Sequence, residues 1–248
     1  MKVSKKVEYI KQWILKYCRS MPKSASSLVV GVSGGIDSSV VSTICAMTGK
    51  KTFAVSMPIK QIKSQHNLSL LHQKWLKKRF KNVHVPVINL NNTFKNFEKT
   101  LNKFNNQHGL ANSRSRLRMA TLYQIAQSNN GIVVGTGNKV EDFGVGFYTK
   151  YGDGGVDISP IADCTKTEVW EIGEELNILD DIIKATPTDG LWEDGRTDEN
   201  QMGLTYYQIQ EAMKNKKSKF FKKYNKIRSI NLHKMSPIPV CKIKKNVR

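Results

Sequence analysis

The chain has 248 residues, 39% hydrophobic and 24% charged, a balance that suits one globular α/β domain with a sizeable core. Its 40 Lys and Arg against 20 Asp and Glu give a net charge of +20, but the runs (Lys5-Lys6, Lys77-Lys78-Arg79, Lys214 to Lys223, Lys242 to Lys245) are dispersed, so charge does not decide between nucleic acid and small polyanions. No stretch approaches the roughly 18 apolar residues of a membrane span, the Lys-rich start has no apolar leader core, and Cys18, Cys45, Cys164 and Cys241 match neither a zinc nor a disulfide pattern; a cytoplasmic protein without a membrane partner is expected.

In chain order, Val3, Val7, Ile10, Ile14 and Tyr17 recur at helical spacing and predict an opening amphipathic helix. The apolar run Leu28 to Val32 predicts a buried strand, Val40 to Met47 a helix, and Thr52 to Met57 a second strand. Leu68, Leu71, Trp75, Leu76 and Phe80 mark a helix before a third strand, Val83 to Leu90. The polar stretch from Asn91 to Gln107 is expected to be helical, another helix spans about Ser113 to Ser128, and Gly131 to Thr136 is a fourth strand. A glycine-rich segment, Gly144 to Gly155, precedes a helix at Thr165 to Leu176, where Thr165 and Glu168 can form a capping box. The polar segment Thr186 to Gly203 reads as a long loop, and two helices near Leu204 to Met213 and Lys216 to Ile230 end in the basic tail. Strands and helices alternate at βαβ spacing, which predicts an α/β fold with a doubly wound, mostly parallel sheet and helices on both faces.

The most informative residues lie between the first strand and the next helix, at Ser33-Gly34-Gly35-Ile36-Asp37-Ser38. A strand, a Ser/Gly turn and a helix N-terminus form an anion cradle, because glycines let the backbone approach a phosphate and the helix end favours negative charge. Asp37 beside such phosphates makes chemical sense as a ligand to a divalent cation. Gly49-Lys50-Lys51-Thr52 imitates the end of a Walker loop, but Ile44 stands where the first glycine belongs and the segment follows a helix instead of preceding one.

Further along, Arg114, Arg116 and Arg118 are spaced two apart, so that Arg114 and Arg118 share a helix face and Arg116 points elsewhere. Thr136 and Glu141 fall just after the fourth strand, at the sheet edge where ligands bind, and Glu141 can share a magnesium ion with Asp37; Asp142 is the alternative ligand. Lys150, Asp153 and Asp157 lie in Thr149-Lys150-Tyr151-Gly152-Asp153-Gly154-Gly155-Val156-Asp157, and Thr188 and Asp189 open the polar loop.

The Ser33 to Ser38 loop resembles the pyrophosphate-binding loop of the N-type ATP pyrophosphatases, a superfamily that cleaves ATP between its α and β phosphates. Asn112 to Met119, with Ser115 in place of a small alanine, and Thr149 to Asp157 are similar to stretches of the ammonia-dependent NAD synthetases. The likeness extends in consistent order from about Leu28 to Lys234. It implies ATP-dependent amidation of deamido-NAD with ammonia through an acyl-adenylate, with release of AMP and pyrophosphate. By the same resemblance, ATP is bound by Gly31, Val32, Ser33, Gly34, Gly35, Ile36, Asp37, Ser38, Thr136, Lys166 and Thr188, with Asp37 and Lys166 catalytic. Deamido-NAD falls to Arg116, Lys150, Asp157, His233 and Lys234, and Mg2+ to Asp37 and Glu141. The resemblance also implies a homodimer, and residues 1–248 are expected to form a single synthetase domain without a glutaminase unit, which leaves ammonia as the nitrogen source. An RNA-modifying ATP pyrophosphatase is the runner-up from the same loop, and a nucleotide sensor without turnover is a third reading; a nucleic-acid partner is disfavoured because it leaves Tyr151 to Asp157 unexplained.

Overall fold

Successive residues of a strand face opposite sides of a sheet, and the apolar run around Leu28 is uninterrupted because both of its sides are covered. In a computed structural model that describes residues 2–192 and 194–243, four parallel strands are ordered β3-β2-β1-β4, where β1 is Ser27–Gly31, β2 Lys51–Val55, β3 Val83–His84 and β4 Gly131–Val133. Leu28, Val30 and Ile132 face a core built with α1 (Val3–Ser20), α2 (Ile36–Met47), α6 (Lys166–Glu175) and α7 (Asp180–Ile183). Val29, Val55 and Val133 face the other side, where α4 (Asn91–Thr100) contributes Phe94 and α5 (Gln107–Ser128) contributes Leu110 and Ala126. Alongside, α3 (Lys63–Arg79) places Leu76 against Ala54 and Val83. This is the doubly wound arrangement expected from the sequence.

Several elements differ from their sequence-based bounds. The third strand is short because Pro86 has no N–H to give the ladder; beyond His84 the pairing continues only as a bridge between Ser56 and Val87. The fifth helix begins six residues before Ser113, where the Asn106 side chain caps it by accepting from the Gly109 N–H. In α1 the buried stripe is Val7, Ile10, Ile14 and Cys18, and Tyr17 is partly exposed. The Thr165–Glu168 capping box forms as expected.

Between Asp198 and Met235 the chain forms a helical unit: α8 (Asp198–Met202), α9 (Tyr206–Lys214) and α10 (Phe221–Met235). Their apolar residues Met202, Leu204, Tyr206, Ile209 and Tyr224 pack on Val140 and Val145 of a π-helical turn, Lys139–Val145, which the sequence pattern did not foreshadow. Lys244 and Lys245 of the basic tail lie outside the described residues. Among the described residues no helix is long and apolar enough to cross a membrane.

Candidate active site

The strand order reverses beside β1, and in open α/β sheets ligands bind beyond the strand carboxyl ends at such a switch point. The turn leaving β1 is held by its serines. Ser33 N–H donates to Ser38 Oγ at 3.3 Å, Gly35 N–H donates to Ser33 Oγ at 3.2 Å, and Ser38 Oγ donates to the Gly35 carbonyl at 3.0 Å. Gly34 has φ of +95°, a conformation that an L side chain resists. A cleft of about 550 Å³ opens over this turn.

Asp37, in the first turn of α2, meets Lys166 from the start of α6 and Glu141 from the π-helical turn. Lys166 Nζ donates to Asp37 Oδ2 at 2.6 Å and to Glu141 Oε1 at 2.9 Å. Asn138 organises the same corner: its Nδ2 donates to Asp37 Oδ1 at 2.9 Å while its Oδ1 accepts from the N–H groups of Val140 and Glu141. Lys166 is 1% exposed, so these charges interact with little screening. Burial opposes the Lys166 charge, but Asp37 and Glu141 outweigh it and hold the ammonium above its ordinary pKa. Burial likewise pushes Glu141 up, and Lys166 and Tyr206 overcome it and hold the carboxyl below its usual range. Asp37 is raised by burial despite Lys166 and Asn138.

Tyr206 and Asp198 complete the network. The Tyr206 hydroxyl lies 2.6 Å from Glu141 Oε1 and 3.2 Å from Asp198 Oδ2. Burial and the neighbouring Glu141 push Asp198 up to about 8, and its Oδ1 has no hydrogen-bond partner.

Glu141, not Asp142, is the acid that joins Asp37. A side chain on Gly137 would collide with the Asp142 carboxylate, which packs there, and burial drives that carboxyl well above its normal range. Magnesium takes one or two protein carboxylates together with phosphate oxygens and water. Asp37 and Glu141 fit that demand, since two carboxylates from different elements already share one cation, the Lys166 ammonium. Among the described residues no three His, Cys, Asp or Glu side chains could hold a metal by themselves, so phosphate oxygens would complete the shell.

On the other wall of the cleft, Arg116 Nε donates to the Lys150 carbonyl at 3.3 Å, and Lys150 Nζ reaches the His233 carbonyl at 3.1 Å. Lys234 Nζ donates to the carbonyls of Gly146 and Tyr148. Arg114 is buried and donates to the Leu191 carbonyl, while Arg118 borders the cleft and donates to the Met57 carbonyl. The cleft is lined by Gly31 to Ser38, Thr136, Glu141, Lys166, Thr188, Arg116, Lys150, His233 and Lys234, which brings together every residue that the resemblance assigned to ATP, deamido-NAD or Mg2+ except Asp157; of the three arginines, Arg114 is also outside the lining. The Asp157 carboxylate accepts from the Val133 N–H at 2.7 Å and from the Tyr123 hydroxyl at 3.1 Å, so it secures the end of β4 outside the cleft lining.

Sequence reasoning passed over Asn138, Tyr206, Asp198 and Gln65. Gln65 Nε2 donates to Thr188 Oγ1 at 2.7 Å and so ties the polar loop to α3. Asn138 was detectable in principle as a cap residue before a turn. Nothing in local sequence distinguishes Tyr206 from an ordinary core aromatic.

The NAD synthase family model matches residues 6–246. The NH(3)-dependent NAD(+) synthetase of Alkaliphilus metalliredigens is 36% identical, over 96% of this chain and 99% of its own length, and that of Carboxydothermus hydrogenoformans is 38% identical over 82% of each. The solved NMN synthetase from Francisella tularensis superposes with a TM-score of 0.90 at 30% identity, covering 98% of this chain and 100% of that one. With the acidic pair, the serine-held turn and the basic wall in one cleft, these matches establish that the chain belongs to the NAD synthase family.

Proposed function

We propose that this chain is a ligase that amidates the pyridine carboxylate of deamido-NAD with ammonia, at the expense of ATP, to give NAD, AMP and pyrophosphate. The observation that carries the reading is the convergence of Asp37, Glu141 and Lys166 at the mouth of the Ser33 turn, opposite Arg116, Lys150 and Lys234 in the same cleft. A carboxylate resists ammonia until one of its oxygens becomes part of a leaving group. An acceptor carboxylate oxygen therefore attacks the α-phosphorus, and the bond from that phosphorus to the β-bridging oxygen breaks. Ammonia then attacks the acyl carbon, the bond to AMP breaks, and a proton is lost from nitrogen.

The protein's part is positioning and charge neutralisation. The turn Ser33 to Ser38 offers N–H groups and a helix N-terminus to the departing pyrophosphate. Lys166 follows the charge that develops there, and Thr136 and Thr188 border the nucleotide. Arg116, Lys150, His233 and Lys234 steady the anionic acceptor. Asp37 and Glu141 would hold Mg2+, which when bound supplies positive charge to the phosphate oxygens. The single domain of residues 1–248 takes ammonia directly, a reading supported by the near-complete coverage of a relative named for ammonia dependence. It works in the cytoplasm as a homodimer, whose mass sedimentation equilibrium would read.

Purified protein with deamido-NAD, ATP, Mg2+ and ammonium should release NAD and AMP in equal amounts. Absence of NAD, with AMP transferred to RNA instead, would sink the reading. A second reading concerns the acceptor: the 0.90 superposition on an NMN synthetase favours activity on nicotinate mononucleotide as well. Competing the two acceptors in one assay and comparing their kcat/KM values decides between them.

A further inference from the structure

We infer that Tyr206 is a positioning residue: its hydroxyl holds Glu141 toward the cation position and ties that carboxylate, through Asp198, to the segment that carries Thr188. The inference rests on the reading of this cleft as an ATP site and names a group that the reaction scheme does not use.

A phenol has one O–H, and the 2.6 Å contact to Glu141 Oε1 against 3.2 Å to Asp198 Oδ2 directs it at Glu141. Tyr206 has little freedom to turn elsewhere. Its residue is 1% exposed, its ring meets Trp170 edge-on at 6.0 Å, and it opens α9 under the Thr205–Gln208 capping box. Glu141 sits on a π-helical turn whose backbone is held by the Asn138 cap, so its carboxylate is aimed by side-chain partners, Tyr206 and Lys166. Lys166 is a poor anchor for that direction because it is shared with Asp37 and its role is to serve phosphate. The tyrosine is then the fixed partner of Glu141.

The link to the polar loop is built on both ends of the same residue. Tyr206 N–H donates to Glu199 Oε1 at 2.9 Å, and Tyr206 Oη lies 3.2 Å from Asp198 Oδ2, so one hydrogen bond and one close polar contact join α8 to Tyr206. Asp198 N–H donates to the Pro187 carbonyl, and Gln201 Nε2 donates to Asp189 Oδ2, which flank Thr188 on either side. Seating of that loop and aim of the carboxylate therefore share one hinge point.

The test is Mn2+ binding in the presence of ATP without acceptor, when no turnover occurs, followed by titration calorimetry with melting temperature read in parallel. Tyr206→Phe keeps the ring against Trp170 and removes only the hydroxyl; it should weaken Mn2+ affinity about tenfold, as expected for loss of a hydrogen bond to a charged group, with the melting temperature within a few degrees of the parent. In the Glu141→Gln background the same change should add less than twofold. Unchanged affinity in Tyr206→Phe, or an equal loss in both backgrounds, overturns the inference, the second because it would mark a packing effect. Should the Phe variant lose its fold, Asp198→Ala leaves the ring in place and should weaken ATP and Mn2+ together at least threefold; affinity within twofold of the parent overturns the coupling. A parent protein that binds no Mn2+ with ATP would instead remove the ATP-site reading itself, while normal parent binding that ignores Tyr206 removes only this inference.

Discussion

Lys166 Nζ stands 2.6 Å from Asp37 Oδ2, an ion pair that closes across 129 residues of sequence and is almost fully shielded from solvent. Buried pairs of this kind contribute little net stability over an apolar pair, but removing one partner is costly because the other charge stays behind. Lys166→Met would leave Asp37 and Glu141 facing each other without a counter-charge. Denaturant titration at pH 7 should show a loss of about 3–5 kcal/mol. The deficit should shrink as pH falls, because in the variant Asp37 titrates above its unfolded value and protonation relieves the repulsion. AMP release should drop at least about a hundredfold, the scale of losing one preorganised charge at a reacting phosphate. Parent-like stability and rate together would remove the pair from the mechanism.

Gly34 tests the turn itself. At φ of +95° a Cβ there would lie 2.7 Å from Ser69 N and 2.8 Å from the Gln65 carbonyl oxygen, both backbone atoms of α3 that cannot swing aside. Gly34→Ala should therefore cost about 1–3 kcal/mol in strain and raise the KM for ATP by displacing the serines that shape the cradle. Gly49→Ala is the control: φ is +77° there, but nothing lies within 4 Å of the added atom. It should lower the melting temperature slightly and leave the KM for ATP alone. A Gly34 variant that behaves like the Gly49 variant would refute the close-approach argument.

How far this architecture was legible in the sequence depends on the range of the forces that set it. Uninterrupted apolar runs around Leu28 and Ile132 announce strands covered on both faces, and the Ser-Gly-Gly turn between strand and helix announces an anion site. Both signals are local. Helix α5 began early because Asn106 caps it, a polar choice with no apolar periodicity to reveal it. Asp157, which the motif offers as a substrate contact, also accepts from Val133 N–H and Tyr123, and only the register of β4 against the following segment makes that second role visible. Glu141 and Asp142 are adjacent acids whose roles are separated by a π-helical turn, which no pattern of 3.6 or 2 residues encodes. Tyr206 reaches Glu141 across 65 residues, a tertiary fact with no sequence mark.

Ser115 departs from the small alanine of the resembling motif, and the structure shows what the hydroxyl adds. Ser115 Oγ donates to Asp153 Oδ1 at 2.7 Å and accepts from the Asp153 N–H at 2.8 Å; Ser115 is buried, while Asp153 keeps an exposed side toward the cleft. Asp153 is raised by burial even so, with Ser115 and Thr149 pulling in the opposite direction. Ser115→Ala removes both hydrogen bonds beside the partly open Asp153 and should cost about 1 kcal/mol of stability, the scale of a typical net hydrogen bond. Because the cradle, Lys166 and Glu141 are untouched, kcat should stay within about threefold, well under the loss for removing a catalytic donor. A collapse of kcat at parent stability would place Ser115 in the chemistry instead of in the scaffold.

His72 provides the clearest pH prediction. It is fully buried on α3, its Nε2 lies 2.9 Å from Ser42 Oγ, its Nδ1 has no partner, and its ring stacks on Trp75 with centroids 5.5 Å apart. Burial opposes the imidazolium and lowers the pKa from 6.5 to about 3, with a backbone contact to Ser39 opposing only weakly. The folded protein therefore keeps His72 neutral where the unfolded chain takes up a proton. Stability is fully present above pH 6.5 and is lost as pH falls from there toward 3, with a slope approaching about 1.4 kcal/mol per pH unit from this group alone. Replacing the imidazole by a side chain that does not titrate, His72→Gln, should lower stability at pH 7.5 through imperfect packing but flatten the decline between pH 6.5 and 4.5. The two unfolding curves, measured in guanidinium at half-unit pH steps, should converge toward the acid end; parallel curves would show that the acid sensitivity originates in other groups, such as Glu141, which Lys166 and Tyr206 hold below its usual range.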